Sequence, residues 1–230
     1  MSPRTPRPAD RDGPAGRHGR TYRGATQRER QQERRARLID AAVEVFGTAG
    51  YRAGTVDRIC AEAGLTKRYF YESFADSEAL LLAVYQRVSD DLRARVLAGA
   101  ESAGPGVEDL VRAALDTLFR AIEADPRLAR IAFVEVLSVS PVVDHAYRTV
   151  NTALVEEILR LTGPAFDGRE LSGAHPQLLA TGLLGAIVFI AHQWILSGLD
   201  HPAETVVTSA HALVMAVVTG AALPLEAPRA

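Results

Sequence analysis

The sequence predicts an all-α protein of about nine helices, and three observations lead to this prediction. Apolar residues recur at three- and four-residue intervals along most of the chain, which is the spacing of one helical face. Glycine and proline separate these segments, and the later prolines stand where a helix begins. No convincing run alternates apolar and polar residues as a strand does. With 47% hydrophobic and 23% charged residues, most of the chain should fold.

The first 25 residues are predicted to be a disordered, basic arm. They contain four prolines, several glycines and no apolar run, so they cannot bury enough surface to become ordered. They also lack the apolar stretch of a secretory signal. Residues 1–37 carry eleven arginines against four acids, whereas residues 81–230 carry eleven against seventeen. This asymmetry predicts contact between the N-terminal part and a polyanion, with a solvated tail as the alternative.

A first helix is predicted to begin at Thr26 and to end before Gly50. Thr26 and Glu29 have the spacing of a capping box, in which the two side chains bind free backbone donors. Arginines crowd the first turns, from Arg28 to Arg37, and they either add contacts to DNA phosphates or stay solvated. An apolar stripe then follows at helical spacing, made of Leu38, Ala42, Val45, Phe46 and Ala49.

Two short helices come next, separated by a turn at Gly64. The first spans Val56–Ala63 with Thr55 as its N-cap, and the second spans Lys67–Glu72 with Thr66 as its N-cap. This length and turn chemistry is typical of a helix-turn-helix, whose second helix lies in the major groove of DNA. The segment therefore predicts a small DNA-binding domain.

That domain is predicted to occupy residues 26–75, and residues 76–230 a larger helical domain. One helix starts near Asp76 and runs towards Gly99. Beyond a glycine-proline break, five more are predicted over residues 107–124, 126–140, 142–162, 176–198 and 203–221. The last two are apolar around most of their circumference, so we expect them to face both their own core and a second copy of the chain.

The segment around the two short helices resembles the N-terminal DNA-binding domain of the TetR (tetracycline-repressor) family of bacterial transcription regulators. The resemblance rests on Phe46, Gly50-Tyr51, Thr55-Val56, Ile59, Ala63-Gly64, Leu65-Thr66-Lys67, Tyr71, Phe74 and Glu78-Ala79-Leu80. It departs from the family at Ser77, where many members carry a lysine that approaches DNA. It implies a ligand-responsive regulator, in most members a repressor, that needs no cofactor.

The resemblance also implies roles for individual side chains at the DNA. Thr55 and Thr66 would present hydroxyl and backbone N–H groups to phosphates, and Tyr71 would donate its phenol to another phosphate. The remaining three candidates lie where base edges or flanking phosphates come within reach, and an arginine there can read guanine. They are Lys67, Arg68 and Tyr69.

Family members commonly dimerise through their last two long helices, here 176–198 and 203–221, and two copies would select a palindromic operator. In the family, a small molecule in the helical core shifts the helix that follows the helix-turn-helix, and DNA is released. The sequence predicts a hydrophobic or amphipathic effector. Candidate pocket residues are the aromatic and polar side chains of helices that should face one another: Phe119, Phe133, Glu135, Tyr147, Phe189, His192, Gln193 and Trp194.

Two other classes of protein compete with a regulator. Neither Leu171–Leu199 nor Thr205–Leu225 contains a charged residue, so a two-span membrane protein with a cytosolic basic head is considered; the polar residues and glycines in these runs disfavour it. An all-α enzyme using Glu135, Tyr147 and His192 is the other, although no catalytic motif is present. The six histidines show no metal-ligand spacing, and the lone Cys60 fits a reducing cytosol. We therefore expect a cytoplasmic, non-enzymatic regulator without a metal.

Overall fold

The computed structural model describes residues 19–166 and 175–219 of the 230-residue chain. Within these ranges the chain is helical and contains no strand, which confirms the all-α prediction. The α-helices, in chain order, are α1 Gly19–Ala49, α2 Val56–Ala63, α3 Lys67–Ser73, α4 Ser77–Glu101, α5 Val107–Ala124, α6 Pro126–Arg130, α7 Pro141–Phe166, α8 Pro176–Leu196 and α9 Ala203–Val218. A 3-10 turn, Tyr51–Ala53, follows α1, and a π turn, Ile131–Glu135, continues α6.

The first helix begins earlier than the capping box predicts. Helix α1 starts at Gly19, so Thr26 lies inside it and the prediction of a disordered arm is wrong for residues 19–25. Pro14 is the last proline before Pro105, and nothing in the covalent backbone of the intervening residues prevents the helix from extending towards the N-terminus. The rest of the predicted arm, residues 1–18, lies outside the described residues.

The predicted helix over residues 126–140 is also wrong in its length. Only Pro126–Arg130 is α-helical; the π turn then widens the backbone, and Ser138 adopts a left-handed conformation with φ of 58°. The chain therefore changes direction before α7. Helix α8 ends at Leu196, two residues before the predicted end, because Gly198 and Leu199 are both left-handed.

Two hydrophobic clusters form the core. The first joins α1, α2 and α3 to α4, the π turn and the start of α7, and includes Leu38, Phe46, Ile59, Phe70, Leu80 and Val143. The second joins α5, α8 and α9, and includes Leu115, Phe119, Leu183, Trp194, Val207 and Val214. Phe133 of the π turn packs against both clusters. The two halves of the molecule thus meet at the π turn as well as along α4 and α5.

Helix α8 is the most apolar helix that the structure describes. With 21 residues and a mean hydropathy of 1.8, it is the one described helix that is long and apolar enough to cross a membrane, yet only 17% of its apolar window is buried. Helix α9, with 16 residues, is too short for a second span. The exposed apolar surface of α8 is expected to contact either lipid or another protein surface.

Candidate DNA-reading surface and core cavity

Local backbone chemistry builds the helix-turn-helix. The Thr55 hydroxyl accepts a hydrogen bond of 3.3 Å from the backbone N–H of Arg58, which caps the start of α2. At the other end Gly64 is left-handed, with φ of 61°, and the backbone N–H of Leu65 donates to the Cys60 carbonyl at 2.9 Å. Only glycine adopts this conformation without strain. The turn therefore aims α3 away from α2.

Helix α3 presents a polar outer face. Lys67, Arg68 and Tyr71 are exposed, and the Tyr71 side chain, at 60%, is unusually exposed for an aromatic residue. Thr66 is also exposed, and its side chain makes no capping hydrogen bond. Phe70, on the opposite face of α3, is fully buried in the first cluster. The six predicted contact residues thus lie on or beside one surface, which we call the reading face: Thr55, Thr66, Lys67, Arg68, Tyr69 and Tyr71.

Two carboxylates that the sequence analysis missed hold the cations of the reading face. The Lys67 ammonium lies 2.8 Å from Asp57 of α2, and this hydrogen bond and charge raise the pKa of Lys67. The Arg68 guanidinium lies 3.0 Å from Glu72, one turn further along α3. The second pair has a recognisable i,i+4 spacing, whereas the first joins two helices and has no local signal.

Three arginines of α1 brace this domain. The guanidinium of Arg34 stacks 4.5 Å from the centre of the half-buried Tyr69 ring, and that of Arg35 lies 4.7 Å from the Phe74 ring. Arg37 donates a hydrogen bond of 2.6 Å to the Ala63 carbonyl at the end of α2. These arginines are neither free phosphate ligands nor simply solvated, the two roles expected from the sequence.

Polar contacts also tie the domain to the rest of the molecule. The Glu135 carboxylate accepts hydrogen bonds from the Tyr51 backbone N–H at 2.7 Å and from Arg130 at 2.8 Å. Arg127 pairs with Glu44 of α1 and with Asp125. The same guanidinium lowers the pKa of Asp125, and both carboxylates raise the pKa of Arg127. Both links run from the end of α1 to the segment around α6.

A cavity of about 350 Å³ lies in the larger domain. Its walls come from α4, α5, α7 and α8, with the π turn and the end of α9 completing them, and they are mostly apolar. The side chains that set its shape include Tyr85, Leu92, Val96, Leu97, Leu110, Leu115, Leu118, Phe133, Tyr147, Leu154, Ile158, Leu183, Leu184, Ile187 and Val214. This volume is within the usual range for a small-molecule site.

Few polar groups reach the cavity. The rings of Tyr85 and Tyr147 lie 6.4 Å apart at one wall, and burial raises the pKa of Tyr85 to about 12. Arg93 is the cation among the lining residues; in the part of the chain that the structure describes, no carboxylate lies within ion-pair distance of it. The nearby Glu157 pairs instead with Arg160, which lowers the pKa of Glu157. The cavity therefore combines mostly apolar walls with three charged lining residues: the cation Arg93 and the carboxylates of Asp90 and Glu157.

An open groove lies on the other side of Phe133 and Tyr147, between α7 and α8. Its volume is about 620 Å³, and Phe189 and His192 line it with their rings stacked 6.4 Å apart. Leu184 borders both the groove and the cavity. A thin wall of side chains thus separates the two spaces.

The structure divides the eight predicted pocket residues. Phe133 and Tyr147 line the cavity, and Phe189 and His192 line only the groove. The other four line neither, so those predictions are wrong. Phe119 and Trp194 are buried against each other, with ring centres 5.8 Å apart, and Trp194 donates to the His201 carbonyl; Gln193 is exposed and Glu135 binds Tyr51.

Most of the cavity wall was missed by the sequence analysis, above all the face of α4. Tyr85 has a signal in retrospect, because it stands at helical spacing from the apolar Leu81 and Val88 and carries a hydroxyl into a buried position. The hypothetical catalytic set does not form, since Glu135 lies away from the groove that His192 lines.

The fold and the reading face define a helix-turn-helix DNA-binding protein on an all-helical core. The sequence profile of a family described as bacterial regulatory proteins, tetR family, matches residues 38–84. The HTH-type transcriptional activator FasR of Mycolicibacterium smegmatis is 30% identical over 165 residues, which cover 72% of this chain and 74% of FasR. The chain belongs to the TetR family of bacterial transcription regulators, and its function as a DNA-binding regulator is thereby confirmed.

Solved structures show the same fold over most of the chain. The fatty acid degradation regulator FadR of Bacillus halodurans superposes with a TM-score of 0.70 at 19% identity, over 79% of this chain and 94% of that one. FadR of Bacillus subtilis, solved in complex with stearoyl-CoA, gives 0.69 at 17% identity, over 80% and 98% of the two chains. The match therefore extends well beyond the helix-turn-helix.

Proposed function

We propose that this protein is a cytoplasmic, homodimeric regulator that is not an enzyme, and whose affinity for a palindromic operator is set by a long-chain acyl-CoA. The observation that carries the proposal is the apolar cavity, because its wall includes α4, the helix that directly follows the reading helix α3. A molecule in the cavity touches the element that positions the reading face.

The reading face supplies the DNA contacts. Thr55 and Thr66 stand at helix starts, where backbone N–H groups and a hydroxyl meet phosphates, and Tyr71 projects a phenol beside them. Arg68 reads a guanine edge, and Lys67 and Tyr69 contact bases or flanking phosphates. For Lys67 and Arg68 this requires exchanging the present carboxylate partners for DNA, which the exposed positions of both pairs allow.

The second subunit covers α8 and the outer face of α9. On the single chain, Leu178 is 72%, Phe189 61% and Leu196 59% exposed, although all three are large and apolar. Gly182 and Gly185 have no atom near the place of an added Cβ, so this face admits a closely packed partner helix. In the proposed dimer, a two-fold axis relates the two copies of α3, as recognition of a palindromic operator requires.

The apolar lining of the cavity fits a hydrocarbon chain, and Arg93, the one cation among the lining residues that the structure describes, would face the anionic group at its end, away from Asp90 and Glu157. The structure of the similar FadR of Bacillus subtilis contains stearoyl-CoA, and FadR of Bacillus halodurans is a fatty acid degradation regulator. This chain has the same fold as both, and the mostly apolar lining of its own cavity suits the same class of ligand. The acyl chain would lie between α4, α5 and α7, with the nucleotide part outside.

Release of DNA follows from differential affinity. The effector binds more tightly to a conformation in which α4 and α3 no longer fit the operator, and it shifts the population towards that conformation. The shift is limited by the difference between the two affinities. The resemblance to the family implies a repressor, whereas the relative FasR is named an activator; the position of the operator relative to the promoter decides whether binding represses or activates.

A direct experiment starts from operators selected by the purified protein from a genomic library. Operator affinity is then measured by fluorescence anisotropy with stearoyl-CoA, shorter acyl-CoAs, free stearate and coenzyme A. Stearoyl-CoA should weaken operator binding, and each removal of two carbons should weaken effector binding by about 1.6 kcal/mol, roughly 15-fold. Coenzyme A alone should have no effect. If operator affinity is the same with and without all four compounds, the proposed effector is wrong.

A matched pair of variants tests the place of binding. Ala114 lines the cavity, whereas Ala94 is exposed on α4 and lies outside it. Ala114→Leu should fill part of the cavity and weaken effector binding without changing operator affinity in its absence. Ala94→Leu should change neither affinity. Equal loss of effector binding in both variants would place the ligand elsewhere.

A further inference from the structure

The side chain of Glu135 links the two halves of the molecule across 84 residues of sequence. One carboxylate oxygen accepts the backbone N–H of Tyr51 at 2.7 Å, and the other accepts from Arg130 at 2.8 Å. The glutamate side chain is only 13% exposed. A charge-assisted bond to a backbone N–H at a nearly buried position is strong and directional, so it fixes where the 3-10 turn after α1 lies.

Arg130 extends this contact to the last turn of α1. Its guanidinium donates to the Thr48 carbonyl at 3.2 Å while it also holds Glu135. Gly50 completes the corner: its φ is 87°, and a Cβ there would lie 3.1 Å from the Glu135 carboxylate. We call this set the corner latch: Thr48, Gly50, Tyr51, Arg130 and Glu135.

The π turn that carries Glu135 also forms part of the cavity wall. Phe133 stands two residues before Glu135 in the same π turn, lines both the cavity and the groove, and packs against both hydrophobic clusters. Ala132 lines the cavity as well. A π turn carries an extra residue per turn and often marks a functional site, since its wider backbone can return to α-helical geometry. A displacement of Phe133 therefore moves the backbone that carries Glu135.

We infer that the π turn is a second lever beside α4: an occupant of the cavity displaces Phe133, the corner latch opens, and the helix-turn-helix loses its fixed orientation. Glu135 is a positioning residue in this scheme and contacts neither effector nor DNA. The inference rests on the proposed function, because it assigns the route by which the cavity occupant changes operator affinity.

A neighbouring ion pair provides a matched control. Arg127 binds Glu44 and so joins α6 to α1 as the corner latch does, yet neither residue lines the cavity or belongs to the π turn. If any loss of contact between the halves altered the response to effector, removing Glu44 would do so as well. If the π turn is the route, only the Glu135 variants should.

The experiment measures a coupling factor, defined as the ratio of operator Kd with saturating stearoyl-CoA to operator Kd without it. Typical coupling between two sites is about 5- to 150-fold. Glu135→Ala should lower the factor severalfold, leaving the part that α4 transmits, while stearoyl-CoA still binds the free protein. Glu135→Gln keeps an acceptor for Tyr51 and should restore part of the coupling. Glu44→Ala, which removes the contact with Arg127, should keep the wild-type factor.

Hydrogen exchange gives a readout that does not depend on DNA. The Tyr51 amide should exchange slowly in the wild type, faster when stearoyl-CoA is bound, and fast in Glu135→Ala with or without it. A structural role alone would change stability and basal operator affinity but leave the coupling factor intact.

The possible failures are distinguishable. If the wild type itself does not respond to any acyl-CoA, the proposed function is wrong and the lever with it. If the wild type responds and Glu135→Ala responds equally, or if Tyr51 exchange is unaffected by bound effector, the lever alone is wrong and α4 suffices.

Discussion

The reading domain and the region around the cavity are stabilised in different ways. In the reading domain, arginines of α1 hold the neighbouring segments in place: Arg34 and Arg35 stack on aromatic rings, and Arg37 donates to a backbone carbonyl. Around the cavity, packing dominates, as in the contact between the Tyr85 and Tyr147 rings, whose centres lie 6.4 Å apart. Directional contacts fix one geometry, whereas apolar packing around an unfilled space leaves room for a ligand to adjust it.

This difference matches the two tasks. Reading DNA requires that α3 keep its angle to α2 within a narrow range, because side chains must reach base edges a few ångströms away. Binding a hydrocarbon chain requires area and shape but few fixed contacts. The π turn is the short segment that contributes both Phe133 to the cavity wall and Glu135 to the directional contacts of the corner latch.

The largest expected effect comes from opening a hole in each core. Phe70 belongs to the first cluster and Phe119 to the second, and both are fully buried. Either change to alanine should cost about 3–5 kcal/mol in unfolding free energy, measured with urea. Phe70→Ala should lose operator binding and retain acyl-CoA binding, whereas Phe119→Ala should lose acyl-CoA binding first. If both variants lose both activities in parallel, the two clusters unfold as one unit.

A smaller effect should separate base contacts from phosphate contacts on the reading face. Arg68→Ala should cost about 1–3 kcal/mol and relax the preference at a single operator position. Tyr71→Phe should weaken binding by about 1 kcal/mol for every sequence alike, since it removes one hydrogen bond to a phosphate. Competition assays with operators substituted at each position would measure both. If Tyr71→Phe instead changed the base preference at one operator position, Tyr71 would not be a phosphate contact.

Bracing arginines and DNA-contacting arginines of α1 should also differ. Arg37→Ala removes the bond to Ala63 and should lower unfolding free energy by about 1 kcal/mol, the value for one hydrogen bond at an exposed side chain. Arg30 is exposed on the same helix, and Arg30→Ala should leave stability unchanged but reduce the salt slope of operator binding by about 1. Identical salt slopes of operator binding for the wild type and Arg30→Ala would show that Arg30 does not contact a DNA phosphate.

The helix-turn-helix was predictable from sequence because its signals are local. The Thr55 cap and the Gly64 turn act within three or four residues of their own positions, and α2 lies where these signals place it. The start of α1 was not predictable from sequence, because the capping-box residues at Thr26 are equally compatible with the interior of a longer helix.

The cavity was only partly predictable, because its wall combines residues that are far apart in sequence. Phe133 and Phe119 are both aromatic residues on apolar helical faces, yet one lines the cavity and the other fills the core. The sequence predicts Glu135 as a pocket residue because it is a polar side chain on a helix that should face other helices. Its partner is a backbone N–H 84 residues away, and no sequence pattern records such a pairing.

The smallest effect concerns pH and tests the apolar character of the cavity wall. Burial raises the pKa of Tyr85 from 10.0 to about 12. The unfolded chain releases this proton near pH 10 and the folded protein only near pH 12, so the stability contributed by the protonated, buried tyrosine is present below pH 10 and is lost between pH 10 and 12. Tyr85→Phe should remove that part of the alkaline decline.

Urea midpoints of wild type and variant, measured from pH 8 to 12, would show the difference as converging curves, since all other groups titrate in both proteins. Tyr71→Phe, which alters an exposed ring on the reading face, serves as the matched control and should run parallel to the wild type. If the urea midpoints of Tyr85→Phe also run parallel to those of the wild type from pH 8 to 12, then water reaches the Tyr85 hydroxyl. In that case the wall shared by α4 and α7 is wetter than a hydrocarbon site requires, and the cavity would suit a more polar effector.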